Sequence, residues 1–172
     1  NSATATVTLN VAKAIPSVTF ANVTKTYGDA DFTLSATSSN TSAITYTSSD
    51  TSVATVSGST VTIVGAGTTT ITMSQVTDAN YLAVTDTAIL TVNKATPSVT
   101  FADLAKTFGD ADFTLSATSS NTSAVTYTSS DPSVATITGS TVTIVGAGTA
   151  TLTMSQVADA NYISATATAT LT

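Results

Sequence analysis

The chain consists of one sequence unit written twice, with a period of 81 residues. Residues 13–91 align without gaps onto residues 94–172, and 62 of the 79 aligned positions are identical. Long blocks are unchanged, such as GDADFTLSATSSNTSA, which begins at Gly28 and again at Gly109. The fold must therefore be one that about 80 residues can complete around a core of their own.

The first residues of the chain follow the same repeat. SATAT at 2–6 returns at 164–168, and Thr-Leu at 8–9 returns at 170–171. The predicted domains are the last strand of a preceding repeat at 1–12, repeat 1 at 13–93 and repeat 2 at 94–172. Two periods plus ten residues is the pattern expected of a window on a longer tandem array.

Each unit contains short runs in which apolar residues alternate with Thr or Ser, the pattern of strands that bury one face. In FTLSAT, for example, Phe32, Leu34 and Ala36 fall on one parity. The residues predicted to face inward on three other strands are Ile44, Tyr46, Val61, Ile63, Ile71 and Met73. The strands predicted for the first unit are 17–20, 32–37, 43–48, 53–57, 60–64, 68–74 and 83–92. The pattern predicts an all-β fold of about seven strands per unit, with two sheets packed as a sandwich.

The residue types that are missing exclude several kinds of function. The chain has no His, Cys, Trp, Arg or Glu, so it lacks an imidazole base, a thiolate nucleophile and the usual zinc ligands. Four Lys against ten Asp give a net charge of −6 and no basic surface for nucleic acid. Its apolar runs, such as IVGAG at 63–67, are far shorter than the ~18 residues of a membrane-spanning helix. We therefore expect no catalysis, no nucleic-acid partner and no membrane insertion in this segment.

Two stretches of the chain are similar to a known family. YTSSDTSVATVSGSTVTIVGAGTTTIT at 46–72 and YTSSDPSVATITGSTVTIVGAGTATLT at 127–153 resemble the bacterial immunoglobulin-like group 2 repeats. KTYGDADF at 25–32 is similar to a segment of long immunoglobulin-like arrays in bacterial surface proteins. The resemblance implies two tandem immunoglobulin-like antiparallel β-sandwiches in an extracellular protein, either secreted or at the cell surface. The family has no shared catalytic residues, so none are carried over.

Asp and Asn residues near the ends of strands are the best candidates for a metal site. Calcium takes roughly six to eight oxygen ligands from carboxylates, amides and carbonyls. The candidate calcium ligands are Asp29, Asp31, Asp78, Asp110, Asp112 and Asp159. Asp beside Gly or Asn also forms turns in which its side chain bonds the neighbouring backbone. Because no complete Asp-x-Asp-x-Asn-Gly loop is present, turns are the favoured interpretation and weak calcium binding at a module junction is the alternative.

Asn22, Asn40 and Asn121 lie in Asn-x-Ser/Thr patterns, which N-glycosylation uses. The chain contains 42 Thr and 23 Ser, so such patterns arise by chance. They are therefore weak indications of a modification.

The sequence favours a mechanical function, in which the repeats are stalk or spacer modules of an adhesin-like bacterial surface protein. The expected partners are neighbouring repeats of the same chain, together with host or cell-surface glycans or proteins that other domains contact. Apart from calcium, no cofactor is expected. Two alternatives remain: a glycan- or cell-surface-binding module, and a strand-exchanging subunit of an extracellular filament.

Overall fold

The computed structural model describes residues 2–172, and their regular structure consists of strands. These residues divide into two compact units. Unit 1 comprises residues 2–25 and Asp29–Val92, and unit 2 comprises Thr26–Gly28 and Asn93–Thr172. Among the described residues, no helix has the length and apolar character needed to cross a membrane. The predicted all-β class is confirmed.

The first nine strands build unit 1. They are β1 (Val18–Thr19), β2 (Val23–Thr26), β3 (Phe32–Thr33), β4 (Thr37–Ser38), β5 (Ile44–Ser48), β6 (Ala54–Ser57), β7 (Thr60–Ile63), β8 (Gly67–Gln75) and β9 (Val84–Asn93). One sheet has the order β2-β9-β8-β5. The strands of the other face are β3-β7-β6 together with the short pair β1-β4. An immunoglobulin-like sandwich has its first, second, fifth and fourth strands opposite its third, sixth and seventh. Unit 1 has this order when β1 and β2 are taken as the two parts of the first strand and β3 and β4 as the two parts of the second.

Unit 2 repeats this arrangement. Its strands are β10 (Val99–Thr100), β11 (Phe113–Thr114), β12 (Thr118–Ser119), β13 (Val125–Ser129), β14 (Ala135–Thr138), β15 (Thr141–Ile144), β16 (Ala150–Gln156) and β17 (Ala165–Leu171). The sheets are β13-β16-β17, β11-β15-β14 and β10-β12. The register is also repeated, since Ile44 pairs with Gln75 in unit 1 and Val125 pairs with Gln156 in unit 2. Both units are therefore immunoglobulin-like sandwiches.

The core of unit 1 follows the predicted alternation. Val61, Ile71 and Met73 are almost completely buried, and Leu34 is also buried. The other residues predicted to face inward, Phe32, Ala36, Ile44, Tyr46 and Ile63, are half-buried. In unit 2 the core consists of Leu115, Ala135, Val142, Leu152 and Leu171, with Phe101, Leu104, Phe113, Tyr127 and Ile137 packed against it. Each unit thus has a core of its own.

The strand predicted at 32–37 is interrupted, which corrects the sequence analysis. It forms β3, which pairs with β7, and β4, which pairs with β1. Between them, the amide of Ala36 donates to the hydroxyl of Tyr46 at 3.1 Å instead of to a neighbouring strand. The tyrosine hydroxyl satisfies a backbone donor where the strand changes its partner.

Gly67 and Gly148 occupy equivalent corners at which the backbone passes close to the core. Gly67 has φ +153°, and a Cβ added there would lie 2.9 Å from Cγ2 of Val53. At Gly148 the corresponding distance to Val134 is 2.7 Å. Both positions therefore require glycine because a side chain would collide with a buried valine.

Candidate functional site

In each unit, a residue near the start is hydrogen-bonded to the segment that precedes the last strand. In unit 1 the Ala14 amide donates to the Asn80 carbonyl at 2.8 Å, and the Leu82 amide donates to the Ala14 carbonyl at 2.9 Å. Unit 2 repeats this parallel bridge between Ala95 and Tyr162. We call these contacts the upstream clamp, which consists of Ala14 with residues 80–82 and of Ala95 with residues 161–163.

A lysine side chain reinforces each upstream clamp. The Lys13 ammonium group donates to the Thr77 hydroxyl at 3.0 Å and to the Asp78 carbonyl at 2.5 Å. Lys94 donates in the same way to the carbonyl of Asp159. Because an ammonium group carries three donors, it can bond two acceptors of one turn at the same time. Each lysine therefore connects the start of its unit to the turn that precedes the last strand.

The turn that receives the lysine is built by an aspartate. One oxygen of Asp78 accepts hydrogen bonds from the amides of Asn80 and Tyr81, both at 2.7 Å. The Asp159 turn of unit 2 has the same two bonds at the same lengths. The Tyr81 amide, followed by the Asn80 amide, lowers the pKa of the Asp78 carboxyl from its ordinary value, and partial desolvation opposes them. For these two residues the turn interpretation is confirmed.

A second set of contacts holds the last strand of unit 2. The Leu104 amide donates to the Thr170 carbonyl at 2.8 Å, and the Thr172 amide donates to the Leu104 carbonyl at 3.0 Å. The Lys106 amide then donates to the Thr172 carbonyl at 2.8 Å. The Asp103 carboxylate accepts a further bond from the Thr170 amide at 2.7 Å. We call residues 103–106 with residues 170–172 the downstream clamp.

Unit 1 forms the equivalent contacts with β2, a strand that the alternation of apolar residues does not reveal. β2 lies next to β9 in the sheet. Asn22 takes the place of Asp103, and its side-chain oxygen accepts a bond from the Ile89 amide at 2.8 Å. The segment VTKT in β2 contains a single apolar residue, so its pairing depends on backbone bonds rather than on a pattern of buried side chains.

The direction of strand pairing at the clamps decides how a load on the two ends of a unit would act on their hydrogen bonds. In unit 2 the bridges at Ala95–Tyr162 and Leu104–Leu171 are both parallel. Pulling the two ends of the unit in opposite directions therefore slides the first segment along the last strand. Sliding loads several hydrogen bonds at once, whereas peeling would break them one after another. The bonds of the two clamps would therefore share such a load.

The aspartates predicted to bind calcium do not all meet at one end of a unit. In unit 2, Asp110 and Asp112 lie beyond the end of β16 that holds Ala150, whereas Asp159 follows the end that holds Gln156. A strand of this length spans about 20 Å. Among residues 2–172, no three acidic side chains come together in a group able to hold a metal ion. Calcium binding stays a prediction.

Two of the other candidate ligands are engaged in local hydrogen bonds. Asp31 accepts a bond from the Thr62 hydroxyl at 2.9 Å. Asp110 accepts one from the Thr107 amide, also at 2.9 Å. Asp29 and Asp112 are exposed at the surface. These contacts hold the loops in which the carboxylates lie.

A buried amide side chain, which the sequence analysis did not single out, supports the upstream end of each sandwich. Gln75 is 3% exposed, and its Nε2 donates to the carbonyls of Asn40 at 2.9 Å and Ser42 at 2.5 Å. Gln156 makes the same two bonds in unit 2. The alternation along β8 could have identified this residue, because Gln75 follows Ile71 and Met73 at every second, inward-facing position. Its side chain holds the loop before β5 against the end of β8.

The structure accounts for two of the Asn-x-Ser/Thr patterns. Asn40 is 3% exposed, and its Nδ2 donates to the Val76 carbonyl at 2.9 Å. Asn121 is equally buried and donates to Val157 at 3.0 Å. Because glycosylation requires this nitrogen at the surface, the folded units do not present either residue as an acceptor.

No protein-family model matches this chain, and no curated protein matches it in sequence. The resemblance to the bacterial group 2 repeats therefore remains an interpretation of the sequence.

Several solved structures show a distant likeness. The titin domains z1z2 in complex with telethonin are 15% identical, with a TM-score of 0.42 over 94% of this chain and 97% of that one. Drosophila N-cadherin EC1-4 is 12% identical, with a TM-score of 0.39. The match covers 92% of this chain and about half (49%) of the cadherin chain. Domains 4 and 5 of the S-layer protein SbsC are 19% identical, with a TM-score of 0.31 over 93% and 99% of the two chains. At this level of similarity the fold assignment rests on strand order alone.

Proposed function

We propose that the two units are structural spacer repeats of an extracellular, adhesin-like bacterial surface protein, and that they carry no catalysis. The main support is that two features recur in both units, 81 positions apart. One is the upstream clamp, and the other is the hydrogen bond that an amide of the last strand donates to the side chain of residue 22 or 103. A module that carries tension needs such pairing at both of its ends, and each copy needs it equally. Near-identical units satisfy this requirement without any local departure from the scaffold.

The surface of the larger sheet fits an exposed spacer. Thr47, Thr72 and Thr87 lie side by side on three neighbouring strands of unit 1. Unit 2 has the same row at Thr128, Thr153 and Thr168. Hydroxyl groups keep such a face wetted, and β-branched Thr is favoured in strands. The face therefore stays in water without a strong charge field.

In this proposal the direct partners are neighbouring repeats of the same chain. Contact with a glycan or protein of another cell belongs to other domains, which the repeats hold at a distance. Because recognition belongs to other domains, neither unit needs a binding surface of its own. This fits the small number of differences between the units, which is 17 of the 79 aligned positions.

Force spectroscopy of the 172-residue chain, held at its two ends, tests the proposal. We expect two separate unfolding peaks of similar force, one for each unit. Each should release somewhat less than ~29 nm of chain. Roughly 80 residues extend to that length at ~3.6 Å apiece, and the ends of a folded unit are already separated.

A single release of the whole chain would contradict the modular spacer, as would extension without a resolved force peak. Screening the same chain against immobilised glycans addresses the alternative directly. Saturable binding to one glycan class would replace the spacer with a recognition module.

A further inference from the structure

Residues 3–12 have the side-chain pattern of a buried strand but are exposed. Val7, Leu9 and Val11 are 93%, 84% and 80% exposed, respectively. The residues between them, Thr8 and Asn10, are polar, so all three apolar side chains fall on one parity. A strand with one apolar face requires a sheet and a core to cover that face.

The repeat identifies what covers this face. At a spacing of 81 residues, Val7, Leu9 and Val11 correspond to three residues of β9. These are Ala88, Leu90 and Val92, which are 3%, 1% and 3% exposed in the core of unit 1. In unit 2, Ala169 and Leu171 of β17 are buried in the same way.

We propose that residues 3–12 are a donor strand that completes an immunoglobulin-like unit of this repeat type lacking its own last strand. The strand would pair antiparallel with the acceptor's counterpart of β8, as β9 does in unit 1. On its other side it would lie beside the counterpart of β2. Val7, Leu9 and Val11 would then enter the acceptor's core.

The partner is a unit without its last strand rather than a second copy of this chain. Both units described here already hold that strand, as β9 and β17. A second copy would have to lose β17 and its seven paired residues before it could accept the donor. This inference rests on the repeat architecture of the proposed function, but it concerns strand addition and not resistance to force.

An extended chain supplies the missing partner. A copy of residues 94–162, which contains every strand of unit 2 except β17, is joined in front of Asn1. Backbone amide hydrogen exchange of residues 3–12 is then measured in the extended chain and in the 172-residue chain. We expect exchange in the extended chain to slow by about a hundredfold or more, because these amides become part of a folded sheet.

Two substitutions distinguish insertion into a core from general stickiness. Leu9→Asp should leave the 172-residue chain unchanged, because Leu9 is exposed there, and should unfold the added unit of the extended chain. Thr8→Asp is the matched control, since Thr8 corresponds to Ile89 and Thr170 on the outer side of the last strand. It should leave the added unit folded.

A further variant guards against an added copy that fails to fold for another reason. In the extended chain, Val7→Ala with Asn10→Thr gives residues 2–10 the sequence of residues 164–172. If this variant folds as three units and the unsubstituted extended chain does not, the proposal is wrong. Unchanged exchange at residues 3–12 would also overturn it. The proposal would also be wrong if the 172-residue chain formed oligomers that Leu9→Asp abolishes, because the donor strand would then insert into a second copy of the chain. None of these outcomes would affect the separate expectation of two force peaks from the 172-residue chain, which tests the proposed function.

Discussion

Asn40 and Gln75 show how single polar residues shape the interior of a unit. Both are almost completely buried, and their amide groups bond the backbone of the loop before β5 and of the end of β8. Burial of an amide is costly unless its donors and acceptors find partners. The Nε2 of Gln75 has two partners, whereas its Oε1 is buried without one. Without Gln75, the carbonyls of Asn40 and Ser42 would lose this side-chain donor. The pair therefore selects one conformation of the loop.

Replacing Gln75 with Ala should lower the free energy of unfolding of unit 1 by about 2 kcal/mol, because the Asn40 and Ser42 carbonyls lose their donor and a cavity remains. Removal of the unpartnered Oε1 offsets part of this loss. Chemical denaturation monitored by circular dichroism or by tyrosine fluorescence would measure the change. Ser74→Ala, on the other face of β8, is the matched control and should change stability by less than about 0.5 kcal/mol. Equal effects from both variants would show that the amide bonds contribute little.

Asp78 makes the stability of unit 1 depend on pH. The Tyr81 and Asn80 amides lower the pKa of its carboxyl in the folded state below the value in the unfolded chain. The ionised carboxylate therefore stabilises the fold above the unfolded pKa of about 3.9, and this contribution is lost as the pH falls through the folded pKa.

We expect Asp78→Asn to flatten the decrease in the free energy of unfolding of unit 1 below about pH 5, because the amide oxygen still accepts the turn bonds but does not titrate. Urea denaturation at a series of pH values would measure the slope. Asp78→Ala is the control, since it removes the acceptor and should destabilise the unit at neutral pH as well. An unchanged slope for Asp78→Asn would contradict the assignment.

The last strands and the segments bonded to them are the elements on which the proposed function depends. β9 and β17 contribute buried residues to the core and accept backbone bonds from the start of their units. One side chain in each unit, Asn22 or Asp103, adds a bond to an amide of the last strand. The two residues differ in charge and perform the same role, so the hydrogen bond and not the charge is the shared feature.

Asp103→Ala should reduce the unfolding force of unit 2 and its free energy of unfolding by about 1 kcal/mol, the typical net contribution of one hydrogen bond. In force spectroscopy, one of the two peaks should shift while the other stays in place. Asp103→Asn serves as the control, because it installs the residue that unit 1 uses and should preserve both peaks. A loss of force with Asp103→Asn equal to that with Asp103→Ala would point to charge instead.

At the scale of the whole molecule, the same 81-residue pattern produces two sandwiches with separate cores. Apart from the buried Thr69, which is replaced by Ala150 in unit 2, the interior differences are conservative, such as Ile71 for Leu152 and Ile44 for Val125. Such swaps keep the apolar character of a site and change its volume little. The strand pairing therefore has the same register in both units.

Calcium binding, predicted for a module junction, can be tested on the whole chain. One carboxylate oxygen of Asp78 and one of Asp159 already accept hydrogen bonds within their turns, which leaves fewer oxygens for calcium. We therefore expect the same small-angle X-ray scattering profile in calcium and in EDTA. The variant Asp29→Ser with Asp31→Ser, compared in both buffers, is the control for the exposed carboxylates. A profile that depends on calcium in the parent chain and not in this variant would establish a calcium site.

Much of the fold was predictable from local pattern. Alternation of apolar and hydroxyl residues predicted the strands, and Val61, Ile71 and Met73 are buried as predicted. The interruption between β3 and β4 and the existence of β2 were not predictable. Both depend on hydrogen bonds to distant residues, such as the one from Ala36 to the Tyr46 hydroxyl.

The candidate site divides in the same way. The turn at Asp78 follows from residues three positions apart, so the sequence indicated it directly. The clamps join residues about 65 positions apart, and no local pattern records which segments will meet. By itself the sequence determined the repeat, the β class and the faces of the strands, because these follow from the order of neighbouring side chains. Only the tertiary structure decided which strands pair and where each unit is clamped, because backbone hydrogen bonds carry no side-chain signature.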